Sequence, residues 1–146
     1  MEFVNVYKNQ GGTVAVGSDS GYLFEIWGFG TIRELEMLEE AGFSPLETIH
    51  AATENGAKVV KNPELGLIRQ GYLADLVLLS ENPLADLKIL YGSGVTRAGQ
   101  DRKAVQEYCV KYTIRDGVVF DSQALLRDVR DLVAKARQAR TTAKKD

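Results

Sequence analysis

Residues 14–21 read Val14-Ala15-Val16-Gly17-Ser18-Asp19-Ser20-Gly21 (VAVGSDSG). Three consecutive apolar residues predict a short strand that is covered on both faces, as in the parallel sheets of α/β proteins. Gly17 and Gly21 bracket its carboxyl end, where one carboxylate, Asp19, stands among small hydroxyl side chains. Two uses of Asp19 remain open from these residues alone. It is either a turn aspartate after a strand or a catalytic acid at the strand tip.

Composition bounds the class of protein. With 146 residues, 45% hydrophobic and 26% charged, the chain has the makeup of one globular domain. The net charge of −2 divides into −6 for residues 1–121 and +4 for residues 122–146. This basic segment is short, lacks aromatic residues and includes Asp128 and Asp131, so we predict no binding to nucleic acid. No apolar run reaches about 20 residues and no signal peptide is recognisable, so we expect no membrane association and favour a cytoplasmic location.

Chemistry based on cysteine is restricted, because Cys109 is the single cysteine of the sequence. No disulfide framework and no thiolate metal site can be built within the chain. Cys109 lies in an apolar run, which predicts a buried structural thiol.

An aromatic-rich loop follows the predicted strand over residues 22–30. Tyr22, Phe24, Trp27 and Phe29 either line a substrate pocket or form an apolar plug that holds the loop down. Ser18 and Ser20 flank Asp19, and either could hydrogen-bond to it. Loops of this length are often functional.

Two helices are predicted next. Thr31-Ile32-Arg33-Glu34 has the pattern of a capping box, and Gly42 marks the end of that helix. Ser44-Pro45-Leu46-Glu47 repeats the pattern with proline at the first helical position, which predicts a second helix to about Val60.

From Gly66 onward the pattern is typical of strands. Residues 74–79 (ADLVLL) predict one strand, with Asp75 as a structural residue. Residues 111–114 and 118–120 predict a hairpin around Asp116-Gly117. Residues 92–107 give no clear element, and an apolar stripe at helical spacing predicts a terminal helix from Asp121 or Ser122.

Four segments carry a resemblance to a known family: VAVGSDSG, EAGFSPLETIHAATENGA, LGLIRQGYLADLVLLSENPLADLKILY and TIRDGVVF. In this order and at these separations they resemble the C-terminal third of the amidohydrolase superfamily, most closely its imidazolonepropionase-like and prolidase-like branch, over about residues 12–121. The resemblance implies an α/β fold: the C-terminal part of a (β/α)8 metal-dependent hydrolase barrel, the C-terminal strands of a small β-sandwich, and a terminal helix. Residues 1–62 would be the last strand and helices of the barrel, 63–121 the sandwich part, and 122–146 the terminal helix and basic tail.

The resemblance also implies a site. Asp19 would be both catalytic and a metal ligand, since barrel active sites lie at the carboxyl ends of strands and a carboxylate there can accept a proton from an activated water. Ser20 and Tyr22 would contact the substrate, an amide, a cyclic amide or a small peptide. The complete enzyme would bind a divalent metal, for which ligand chemistry favours zinc, although iron and manganese accept similar ligand sets.

One feature departs from the family. The family's metal site needs a His-x-His pair and two further histidines, whereas this sequence holds one histidine, His50, inside the second predicted helix. We expect His50 on the helix surface and no metal bound to this chain alone. Either the missing N-terminal barrel portion, or another copy of the chain, completes the protein, or the chain is a non-catalytic remnant that acts as a dimerisation module.

Overall fold

The structure is a computed structural model that describes residues 2–22, 26–99 and 101–142. It has the predicted α/β composition, with small sheets and a long terminal helix. The helices are α1 (Glu2–Asn9), α2 (Gly30–Glu40), α3 (Pro45–Ala52), α4 (Glu54–Val59) and α5 (Ser122–Thr142). The strands are β1 (Leu76–Leu79), β2 (Val95–Ala98), β3 (Ala104–Glu107), β4 (Val110–Arg115) and β5 (Val118–Asp121), and a 3₁₀ helix spans Leu87–Leu90.

The first helix is not predicted by the sequence pattern. α1 docks on the corner between α2 and α3, where the Nζ atom of Lys8 lies 2.7 Å from Oε1 of Glu47 and 4.8 Å from the ring centre of Phe43. The helix ends in a turn in which Gly11 adopts a φ of +87°, a conformation that glycine accepts readily. A short amphipathic helix of this kind is stabilised mainly by such tertiary contacts.

The second capping box is confirmed. Ser44 accepts a hydrogen bond from the Glu47 backbone N–H, and the Glu47 carboxylate accepts one from the Ser44 backbone N–H. Gly42, at a φ of +93°, follows the end of α2 as predicted. These signals are local in sequence, so they form wherever the chain can turn.

The first capping box is wrong. α2 begins at Gly30, with Phe29 as its N-cap and no side-chain cap. Thr31 therefore lies inside the first turn, and its hydroxyl lies 3.3 Å from Oγ of Ser18 instead. The Thr-x-x-Glu pattern therefore does not mark where this helix starts.

The predicted continuous helix to Val60 is also interrupted. Thr53 has φ −114° and ψ −85°, which separates α3 from α4. Its hydroxyl donates to the carbonyl of Ile49 at 2.8 Å, and threonine bonding to the carbonyl four residues back is a known cause of helix bending.

The break between α3 and α4 determines how residues 12–19 are held. These residues carry no regular secondary structure, so the predicted strand at 14–17 is not formed within the described chain. The Val16 N–H donates to the Ala51 carbonyl at 3.3 Å, and the Asn55 side-chain amide donates to the Val14 carbonyl at 2.8 Å. The helices thus satisfy backbone groups that a neighbouring parallel strand would otherwise pair with.

The main sheet is antiparallel, in the order β1-β4-β5. Asp116 and Gly117, at φ of +49° and +77°, form the tight turn between β4 and β5, so the predicted Asp-Gly hairpin is confirmed. A separate hairpin pairs β2 with β3, within the region that gave no clear element from sequence.

The core lies where α2 packs against α3 and against the 3₁₀ helix. Leu87 and Ile89 of the 3₁₀ helix are 2% and 1% exposed. Cys109 is buried as predicted, and burial, followed by its contact with Glu81, raises the pKa of its thiol.

The terminal helix α5 packs on β4 and β5. It begins where predicted, with the Asp121 carboxylate accepting a hydrogen bond from the Ala124 N–H at 2.8 Å. Arg130 donates to the Tyr108 hydroxyl at 3.0 Å. Much of the apolar stripe stays exposed, with Leu132 at 65%. In the part of the chain that the structure describes, no helix has the length and apolar character to cross a membrane.

Candidate functional site

Asp19 lies on a tight turn at the end of the segment held by α3 and α4. Its φ is +48°, in the left-handed region that aspartate tolerates better than most residues. Its carbonyl accepts a hydrogen bond from the Tyr22 N–H at 3.2 Å. The residue is exposed, and among the described residues its carboxylate has no hydrogen-bond or ion-pair partner.

The two serines beside Asp19 bond to one another. Oγ of Ser18 lies 2.8 Å from Oγ of Ser20 and 3.3 Å from Oγ1 of Thr31. Neither serine hydroxyl bonds to the Asp19 carboxylate within the described chain. The hydroxyl chain instead connects the turn to the first turn of α2.

The aromatic residues of the loop divide into two groups. The indole of Trp27 lies over the backbone of Gly21, where an added Cβ would come 2.7 Å from Cζ2. The ring of Phe29 contacts that of Tyr91 at 5.8 Å between centres. The first contact joins the two ends of the loop while Trp27 itself stays 76% exposed, and only the second packs the loop against the rest of the protein. Tyr22 is 64% exposed and available to a ligand, whereas Phe24 lies outside the described residues.

A metal would need more ligands than this chain supplies. No group of three or more His, Cys, Asp or Glu side chains that could hold a metal ion occurs within residues 2–22, 26–99 and 101–142. The described residues therefore do not form a complete metal site, and Asp19 could contribute one oxygen ligand.

His50 lies on the helix surface, as the sequence predicts. Its Nε2 atom is 2.7 Å from Oε2 of Glu54, and Nζ of Lys58 is 2.8 Å from Oε1 of the same carboxylate. Hydrogen bonds from these two side chains lower the pKa of Glu54, with Lys58 the larger cause. Glu54, for which sequence reasoning gave no partner, thus joins His50 and Lys58 in a surface row at i, i+4 spacing.

Asp75 has the structural role that its position predicts. Its Oδ1 atom accepts a hydrogen bond from the Asp116 N–H at 2.6 Å, and the Gly117 N–H donates to the Ala74 carbonyl at 3.2 Å. Asp75 therefore fixes the β4–β5 turn against the start of β1. No acid catalysis needs to be assigned to it.

An ion-pair cluster around Arg97 is not indicated by the sequence. The guanidinium contacts Glu107 at 2.8 Å, Glu81 at 2.9 Å and Asp86 at 3.2 Å. Hydrogen bonds to Glu81 and Asp86, in that order, raise the pKa of Arg97, and Arg97 lowers the pKa of Glu81. Glu107 belongs to β3 of the same hairpin, whereas Glu81 and Asp86 both lie between β1 and the 3₁₀ helix, so no spacing along the chain reveals the cluster. It secures the β2–β3 hairpin to the loop after β1.

Comparison with known proteins gives the class of this chain. The sequence profile of the Amidohydrolase family matches residues 2–120. The chain belongs to the amidohydrolase family, a family of hydrolases that are generally metal-dependent.

Several individual relatives are known. The chain is 42% identical to the ochratoxinase of Aspergillus niger over 82 residues, which cover 54% of this chain and 16% of the relative. It is 32% identical to adenine deaminase 2 of Rhizobium etli over 112 residues, covering 73% of this chain and 19% of the relative. The crystal structure of a Xaa-Pro dipeptidase with bound methionine in its active site matches 82% of this chain and 25% of that structure, with 25% identity and a TM-score of 0.60. The chain thus spans about a sixth to a quarter of the length of these relatives.

Proposed function

We propose that this chain is the C-terminal portion of a metal-dependent amidohydrolase that hydrolyses a carbon–nitrogen bond in an amide, a cyclic amide or a small peptide. Asp19 is the acid that carries the proposal: it is exposed, it follows the segment 14–17 and it lies within the family match over residues 2–120. The name of one relative, a Xaa-Pro dipeptidase, falls within this range of substrates, and the name of another, an adenine deaminase, describes hydrolysis of a different carbon–nitrogen bond.

In this proposal residues 1–62 supply the last strand and helices of a (β/α)8 barrel. Residues 63–121 supply part of a composite β-sandwich, and residues 122–146 lie outside as the terminal helix and basic tail. Residues 12–19 carry no regular structure, so the assignment of a barrel strand to this segment rests on the family match over residues 2–120. A strand of a parallel sheet acquires its hydrogen bonds from neighbours on both sides, and those neighbours would belong to an N-terminal portion.

The proposed metal is zinc, which accepts carboxylate and imidazole ligands, and when bound it would activate the attacking water. Asp19 contributes one ligand, and histidines of an N-terminal portion contribute the others. We therefore expect no stoichiometric zinc on this chain alone.

The role of Asp19 is proton transfer. One oxygen of its carboxylate accepts a proton from the attacking water and later gives it to the leaving nitrogen. Ser20 and Tyr22 lie on the same turn and are proposed to contact the substrate beside the acid. The exposed phenol ring of Tyr22 is the better placed of the two, because the hydroxyl of Ser20 is already bonded to Ser18.

The test is made on a complemented enzyme, in which the chain is produced together with an N-terminal portion that carries the family's histidines. Turnover of Xaa-Pro dipeptides, N-acyl amino acids and adenine is measured for wild type and for Asp19→Asn. We expect the variant to lose several orders of magnitude in kcat. Asp116→Asn is the matched control, since Asp116 also lies on a turn at a φ of +49°, and it should leave turnover unchanged. Normal rates in Asp19→Asn, or no turnover by the complemented wild type, would overturn the proposal.

A second candidate function is supported by the apolar surface of the chain. Val119 of β5 and Leu132 of α5 are 59% and 65% exposed, and exposed apolar patches of this kind often bind other chains. In this alternative the chain is a non-catalytic module that dimerises through the terminal helix α5 and an exposed strand. Because residues 14–17 form no strand, β5 is the strand proposed for this contact. Sedimentation of the purified 146-residue chain tests it. A stable dimer of wild type that becomes monomeric in Leu132→Glu, together with inactivity after complementation, would favour this second function.

A further inference from the structure

The turn that carries Asp19 is connected to a residue on the far side of the aromatic loop. Ser18 Oγ bonds to Ser20 Oγ at 2.8 Å on one side and lies 3.3 Å from Thr31 Oγ1 on the other. Ser18 and Thr31 are 13 positions apart, so this contact brings the two ends of the loop together.

The hydroxyl of Thr31 is available for this contact because it does not cap α2. α2 has Phe29 as its N-cap and no side-chain cap. A threonine at the N-cap would direct its hydroxyl to a backbone N–H of its own helix. Inside the first turn, the hydroxyl of Thr31 reaches Ser18 instead.

A second contact holds the same turn from the same side. Gly21 has a φ of +99°, and its backbone is covered by the indole of Trp27, with Cζ2 placed 2.7 Å from where a Cβ would be. Both contacts join the turn of residues 18–22 to the stretch of chain that leads into α2. The turn is therefore fixed by residues that do not belong to it.

Asp19 needs such support, since its φ of +48° is a sparsely populated conformation for a residue with a side chain. Conformations of this kind persist where the surroundings enforce them. Within the turn, the Tyr22 N–H donates to the Asp19 carbonyl at 3.2 Å, and the 3.3 Å contact between Ser18 and Thr31 adds a second, longer contact from outside the turn. We propose that Thr31, acting through Ser18, is a positioning residue that fixes the turn of Asp19 and so directs its carboxylate. Its consequence for catalysis rests on the proposed function; its effect on the turn does not.

The effect on the turn is tested on the 146-residue chain by amide hydrogen exchange of Tyr22, whose N–H closes the turn. Thr31→Val keeps the shape of the side chain and removes its hydroxyl. We expect exchange at Tyr22 to become about fivefold faster, the factor that one neutral hydrogen bond provides. Thr31→Ser restores the hydroxyl and should return the rate to that of wild type. Thr13→Val, at an exposed position before the turn, is the matched control and should change nothing.

The effect on catalysis is tested on the complemented enzyme. We expect Thr31→Val to lower kcat about fivefold to tenfold with little change in KM, because a loosened turn misdirects the acid without removing a substrate contact. Thr31→Ser restores the hydroxyl and should return kcat to its wild-type value.

The outcomes separate the two proposals. Unchanged exchange at Tyr22 in Thr31→Val would overturn the positioning role, whatever the activity. Faster exchange combined with normal turnover in Asp19→Asn would leave the positioning role of Thr31 in place and overturn the function proposed for Asp19.

Discussion

Leu87 provides a quantitative test of the packing between the 3₁₀ helix and α2. Its side chain is 2% exposed in the 3₁₀ helix, which packs against α2. Leu87→Ala removes three buried carbon atoms, a loss of about 2.4 kcal/mol at about 0.8 kcal/mol for each. The remaining cavity raises the expected loss in the free energy of unfolding to about 3–4 kcal/mol.

Urea unfolding followed by circular dichroism measures this loss directly, with the m-value showing whether the transition stays two-state. For a chain of this size the same change should lower the melting temperature by about 10 °C. Leu84→Ala is the control, because Leu84 lies just before the 3₁₀ helix but is 44% exposed, and it should lose less than about 1 kcal/mol. If Leu87→Ala lost no more than the control, Leu87 would not belong to the buried core.

Three further predictions concern the helix cap at Ser44, the carboxylate of Glu39 and the turn at Gly117. Ser44→Ala should lower the free energy of unfolding by about 1 kcal/mol and raise the pKa of Glu47 from about 2 toward its ordinary value, as measured by NMR titration. Burial, then repulsion by neighbouring acids, raises the pKa of Glu39, so Glu39→Gln should raise the melting temperature at pH 7 but not at pH 3. Gly117 has a φ of +77° with open space around it, so Gly117→Ala should lose about 1–2 kcal/mol through backbone strain alone, measured by urea unfolding.

The pH dependence expected for the Ser44 cap has a definite sign. The hydrogen bond from Lys8, followed by the backbone and side-chain hydrogen bonds from Ser44, lowers the pKa of Glu47 from 4.5 to about 2. Stability from this carboxylate is therefore complete above about pH 4.5 and is lost as the pH falls to about 2. Ser44→Ala removes the hydroxyl and keeps the backbone N–H and Lys8, so it should reduce this loss only in part. An unchanged acid limb of the stability profile would show that the Ser44 hydroxyl does not lower the pKa of Glu47.

Controls exist for the other two predictions. Glu34→Gln removes one negative charge from the same helix as Glu39. It therefore separates the effect of net charge from relief of the repulsion at Glu39. We expect that it does not stabilise the protein. Gly92→Ala tests a glycine with open space and no left-handed φ, so it should be nearly neutral. Equal effects in Gly92→Ala and Gly117→Ala would refute the strain argument, and a lower melting temperature in Glu39→Gln at pH 7 would refute the repulsion argument.

Sequence reasoning succeeds where neighbouring residues decide the structure. The Ser44 capping box and the Asp116-Gly117 turn each consist of residues within a few positions of one another, and hydrophobic periodicity locates β1 and α5. Sequence reasoning fails where residues far apart in the chain determine the structure. Residues 14–17 form no strand because a strand needs hydrogen-bonding neighbours, and the β2–β3 hairpin depends on the carboxylates that meet Arg97.

In the candidate site, too, the sequence identifies single residues but not the contacts between distant residues. Asp19 is identified by its place after an apolar run and by the family resemblance. Its connection to Thr31 through Ser18 cannot be identified from the sequence. Ser18 and Thr31 are 13 positions apart, and they meet only because the chain between them folds back. The Thr-x-x-Glu pattern instead predicts that Thr31 caps a helix. A sequence therefore identifies a candidate catalytic acid more readily than it identifies the residues that position that acid.

The helix break at Thr53 links the acid to residues that are synthesised after it. The Ala51 carbonyl and the Asn55 amide, which bond to residues 16 and 14, lie as many as 41 positions downstream. During translation the segment before Asp19 stays unfastened until these helices leave the ribosome. Once they fold, the Ala51 carbonyl and the Asn55 amide fix the backbone that leads to Asp19, so a substitution of Asn55 would act on the acid from a distance.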